Sequence, residues 1–131
     1  MIVRHLYLAW TVILLGFLTG SVHGLFFHRE DWWGGYGSWS RRVARLGHVS
    51  LFGLALINLG FAFTVEALEL QGQASGPSAL LIAGTFTMPL ACYLSSWKRE
   101  LRHLFVFPVL SLLFAAGLFL IQIARSRKGL P

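Results

Sequence analysis

Four stretches of the chain are almost wholly apolar, and short polar segments separate them. They cover residues 6–27, 46–68, 78–97 and 104–124. Each is close to the roughly 20 residues that a helix needs to cross a hydrocarbon layer. The pattern predicts an all-α fold, an integral membrane four-helix up-down bundle, with residues 1–131 forming one domain.

The polar positions inside these stretches carry the finer information. In the first span Gly16, Gly20 and Gly24 recur every four residues, which makes a groove on one helix face, and His23 borders it. The second span places His48 and Ser50 near its start, and Asn58 in mid-span, where an interhelical hydrogen bond is expected. In the third, Thr85, Met88, Cys92 and Ser95 or Ser96 share a face that should look inward. Pro89 should kink that helix unless neighbours compensate. The segment from His28 to Arg45 is the longest polar stretch. Its glycines oppose a regular helix up to about Ser40, and its tryptophans suit a belt lying on a membrane surface. The basic tail from Arg125 to Pro131 is expected to fray.

Composition strengthens the membrane reading: 56% of residues are hydrophobic and 12% charged, against about a quarter charged in a soluble domain. Mean hydropathy is +0.66. The net charge of +6 does not imply nucleic acid, because the basic residues sit in short loops and tails, as in a bundle anchored at lipid headgroups. A cleaved signal peptide is disfavoured, since the first apolar run is too long and lacks an Ala-x-Ala end. The single cysteine, Cys92, excludes an internal disulfide, a CxxC pair and a CxxCH haem attachment. No Walker loop, dinucleotide glycine pattern, HExxH or GxSxG is present, so an independent enzyme is not expected. The surface of the first and third loops carries Arg29, Arg41, Arg42, Arg45, Lys98, Arg99 and Arg102. The opposite surface carries Arg4, Arg125, Arg127 and Lys128. This bias places the first surface in the cytoplasm and both termini outside, in a bacterial inner (cytoplasmic) membrane.

Four of the five histidines gather at that first, aromatic surface. His23 lies about 6 Å inside its span and His48 about 3 Å, from the helical rise, while His28 and His103 stand at the boundary. His5 is alone at the other surface and reads as an ordinary interfacial residue. Three functions follow. Electron transfer would use His23 and His48 as axial ligands of a b-type haem, with His103 as substitute for either. Gly20 and Gly24 would leave room for the ring, and Arg41, Arg45 and Arg102 would pair with its propionates. Copper binding would draw on Met88 and Cys92 together with a histidine. A cofactor-free accessory subunit would use its glycine groove to receive a neighbour's helix.

The span pattern over the whole chain, with paired histidines His23 and His48, resembles the small four-helix membrane b-type cytochromes and the haem-anchor subunits of respiratory complexes. The resemblance implies a haem held at His23 and His48, and partners in a larger membrane complex. It also implies a quinone near the haem edge, which here would involve Ser50, Trp39 or Arg45. A homo-oligomer would serve equally to cover the apolar faces.

Overall fold

The computed structural model describes residues 1–127, and these are built from helices and turns with no strand. Helix α1 spans Ile2–Phe26, α2 Trp39–Ala67, α3 Ser75–Trp97 and α4 Val106–Arg127. Short 3-10 segments occupy Trp32–Gly34 and Arg99–Phe105. All four long helices are of a length and composition able to cross a membrane. The expected fraying of the tail concerns in part residues 128–131, which lie outside the described residues; up to Arg127 the backbone is helical.

Each boundary has a local cause. Helix α2 starts where Ser38 turns extended and its hydroxyl accepts the Arg41 backbone N–H at 3.2 Å, an N-cap. It ends in a Schellman arrangement. Leu70 N–H reaches Val65 C=O at 2.9 Å and Glu69 N–H reaches Glu66 C=O at 3.2 Å. Glu69 takes the left-handed conformation (φ 53°) that usually falls to glycine. Val65 and Leu70 are both buried in the same apolar cluster, which supplies the contact that normally accompanies this motif. Helix α3 tolerates Pro77 in its first turn, and it continues across Pro89 without a break in assignment.

Successive helices pack on one another, α1 on α2, α2 on α3 and α3 on α4, in alternating directions. Helices α2 and α3 are central. Close approach depends on four glycines, Gly20 beneath the His48 ring among them. The ring of Phe52 lies on Gly16, Cys92 and Tyr93 lie on Gly47, and Leu112 lies on Gly84. One apolar cluster joins Phe61, Val65, Leu70, Ala74, Leu81 and Ala115; a second joins Ala9, Val12, Leu51 and Ala55. Outside this core the surface is apolar. Tyr7 is 74% exposed and Trp10 65%, and in α4 only 11% of the span is buried.

Three placements revise the sequence expectations. His5 is not interfacial: it is fully buried, because α1 begins at Ile2 and carries it one helical position ahead of the apolar run. The Trp32–Gly34 turn does not spread on a surface but folds back on the bundle end, with Trp32 stacked on Phe26 and both tryptophan rings against His23. Arg41 is 2% exposed instead of standing at headgroup level. Its guanidinium donates to Phe27 C=O at 3.0 Å and Arg29 C=O at 3.4 Å, closing the end of α1, and lies against the Phe27, Trp32 and Tyr36 rings.

Candidate functional site

The two ends of the bundle hold histidines in opposite chemical situations. At the end where α1 begins and α4 finishes, His5 is the centre of a closed polar network. Its Nδ1 is 2.6 Å from Asn58 Oδ1 and its Nε2 is 2.8 Å from Ser78 Oγ. Asn58 Nδ2 donates to Leu54 C=O and to Thr85 Oγ1, both at 2.8 Å, and the Thr85 hydroxyl donates to Leu81 C=O at 2.7 Å. Carbonyls accept only, so every proton is assigned. The amide presents its oxygen to His5, His5 donates from Nδ1, and Ser78 donates to Nε2. The interhelical bond expected of Asn58 is present, with partners on α1 and α3. A fully satisfied buried imidazole of this kind ties three helices together and offers no free nitrogen.

At the aromatic end His23 of α1 and His48 of α2 meet edge to face with ring centres 5.6 Å apart. Tyr93 of α3 stands 6.1 Å from His23, and Phe52 stands 5.4 Å from His48. His48 Nδ1 is 3.2 Å from Thr19 Oγ1. Among the described residues, no hydrogen bond reaches either ring nitrogen of His23 or Nε2 of His48. The buried Tyr93 hydroxyl also lacks a partner. Beside His23 lies a hollow of about 300 Å³ bounded by Leu18, Thr19, Val22, Trp32, Trp33 and Tyr93, at the lower end of the range for ligand pockets.

The other expected site residues fall apart from this pair or are already engaged. Gly20 supports the His48 ring directly, since a Cβ there would come within 2.6 Å of Cε1. The face beside Gly24 is open. His103 is exposed on the α3–α4 connection, in a surface hollow with Arg99, Glu100 and Arg102. Arg45 lies over the Tyr36 ring at 4.5 Å. Trp39 Nε1 donates to Ser95 C=O at 3.0 Å, and Ser50 Oγ donates to Gly47 C=O at 2.7 Å. Cys92 is buried behind Gly47, and Met88 is half-buried on the same helix. No group of three His, Cys, Asp or Glu side chains suited to a metal ion occurs among the described residues. Neither Thr19 nor Tyr93 was among the expected site residues; the available signal for Thr19 was a hydroxyl adjacent to Gly20.

No protein-family model matches the chain, and no curated protein or solved structure is found to be similar to it.

Proposed function

We propose that this chain is a multi-pass integral membrane protein, placed in a bacterial inner membrane with its aromatic end toward the cytoplasm. In it His23 and His48 hold a b-type haem as a membrane electron-transfer subunit. The observation that carries the reading is the contrast between the two ends. His5 has both nitrogens bonded within the protein, whereas the His23–His48 pair, carried on two helices able to cross a membrane, has three of four nitrogens unbonded among the described residues. These nitrogens are not buried within the chain, so a group from outside it can reach them, and an ionisable residue within an apolar span marks a functional position by default. The donor chemistry suits a haem iron: two imidazoles from neighbouring helices stand 5.6 Å apart, ring centre to ring centre, with nitrogens unbonded within the chain.

Bound there, a b-type haem supplies a one-electron carrier. The chain's part is to present one nitrogen from each of two helices, to cover them with Trp32, Trp33 and Tyr93 against water, and to supply cations nearby. Arg45 is on that end, while Arg41 is committed to the α1 carbonyls. The exposed faces of α1 and α4 call for other subunits of a larger complex or a second copy, in addition to lipid.

A second reading, a cofactor-free accessory subunit, is favoured by one observation. The α1 groove at Gly16 and Gly20 is filled by Phe52 and His48 of the same chain, so it offers no bed for a flat macrocycle; it cannot receive a neighbour's helix there either, and only the face beside Gly24 is open to one. Alanine substitution separates the readings. With haem present, His23→Ala or His48→Ala abolishes the low-spin bis-imidazole spectrum and His5→Ala leaves it in place. A spectrum that survives His23→Ala and is lost in His103→Ala reassigns the pair to His48 and His103. Protein purified colourless from haem-replete cells supports the accessory reading.

A further inference from the structure

We infer that Thr19 fixes the tautomer of His48, holding the proton on Nδ1 and leaving Nε2 as the nitrogen free to bind a metal or accept a proton. This deepens the proposed function and names a positioning residue for it.

Thr19 Oγ1 lies 2.9 Å from Leu15 C=O and 3.1 Å from Gly16 C=O. A carbonyl oxygen has no proton to give, so for these contacts to be hydrogen bonds the single hydroxyl proton of Thr19 must point back at its own helix. What remains on Oγ1 toward His48 is a lone pair. The 3.2 Å contact with Nδ1 is then a hydrogen bond only if the imidazole donates. Neutral imidazole carries one ring proton, so Nε2 is left unprotonated. A hydrogen bond made by one imidazole nitrogen sets the role of the other in this way at metal sites.

Neighbouring residues hold the ring where this bond forms. Gly20, next to Thr19 in sequence, gives the Cε1 edge of His48 a place that any Cβ would fill, with the built Cβ only 3.2 Å from Nε2. Phe52, one turn along α2, packs edge-on against the far side at 5.4 Å and sits itself on Gly16. Gly16, Thr19 and Gly20 thus act together. Two notches seat the rings of Phe52 and His48, and one hydroxyl selects which nitrogen of His48 carries the proton.

The test needs no cofactor. Nitrogen-15 NMR of histidine-labelled, haem-free protein in nanodiscs, at a pH where the imidazoles are neutral, reads each ring nitrogen as protonated or not. His48 is assigned by its loss in His48→Gln. The expected result is a protonated Nδ1 and a bare Nε2 at His48. Thr19→Val should move the tautomer ratio at least about fivefold toward Nε2–H, for a hydrogen bond of ordinary net strength, and Thr19→Ser should restore it. A wild-type His48 protonated at Nε2 overturns the inference, as does a Thr19→Val spectrum identical to wild type. If Thr19→Val does not fold, the wild-type spectrum decides alone. Absence of haem from the purified protein would defeat the proposed function and leave this result untouched.

Discussion

Truncating His5 removes the one side chain that bonds α1 to both central helices at the terminal end of the bundle. In His5→Ala, Asn58 Oδ1 loses a donor at 2.6 Å and Ser78 Oγ loses an acceptor at 2.8 Å, and neither has solvent to turn to. Interhelical hydrogen bonds inside membranes contribute about 0.6 kcal/mol each on average and up to about 1.7. A buried acceptor left unsatisfied costs about 1–3 kcal/mol. The ring also packs against Phe61 at 4.5 Å, so its removal opens a cavity beside the main apolar cluster. Together these give a loss of about 3 kcal/mol. Reversible unfolding in mixed detergent micelles, followed by far-ultraviolet circular dichroism, measures it. A cycle with Asn58→Ala isolates the shared term, expected at about 1 kcal/mol or more for directly bonded partners. A loss under about 0.5 kcal/mol, the range of ordinary surface substitutions, with no coupling, would refute the buried network and return His5 to an interfacial role.

Further outcomes follow from other contacts. Glu69→Gly should stabilise the protein by about 0.5–1 kcal/mol, because glycine adopts the left-handed cap at φ 53° without the Cβ penalty; unchanged unfolding would contradict the Schellman assignment. Arg41→Met should cost about 2 kcal/mol through the lost charge-assisted bonds to the α1 carbonyls and raise amide exchange across residues 27–38, whereas a headgroup-facing arginine would leave exchange as it was. Gly20→Ala should displace His48 and destabilise the protein, while Gly24→Ala, with open space around it, should be silent; equal effects would argue against the notch. A reporter fused after Pro131 that is active only in the cytoplasm would overturn the orientation drawn from the basic residues.

The four helices were legible because long apolar runs leave few alternatives, and the inward face of Thr85, Met88, Cys92 and Ser95 or Ser96 followed from helical spacing; all are buried except Met88, which is half-buried. The juxtaposition of His23 and His48 was legible from depth alone. What depth cannot give is rotation. Whether Gly20 receives a cofactor or the His48 ring depends on how α1 and α2 turn toward each other, and that is set by packing across two helices. His5 was misplaced for a related reason. The apolar run begins at Leu6, but helix assignment begins at Ile2, so a polar residue just outside the run becomes the inner partner of Asn58. Arg41 was read by its charge, although its backbone N–H sits in the first turn of α2 and its side chain reaches the unpaired carbonyls at the end of α1.

The central claim is that the unbonded imidazoles of His23 and His48 serve a haem, and absorbance tests it most directly. The protein is purified in mild detergent from haem-replete cells, and its spectrum is recorded oxidised and after reduction with dithionite. The account predicts a Soret band that shifts on reduction and is lost in both His23→Ala and His48→Ala. A folded wild-type protein with no Soret absorbance in either state would contradict it.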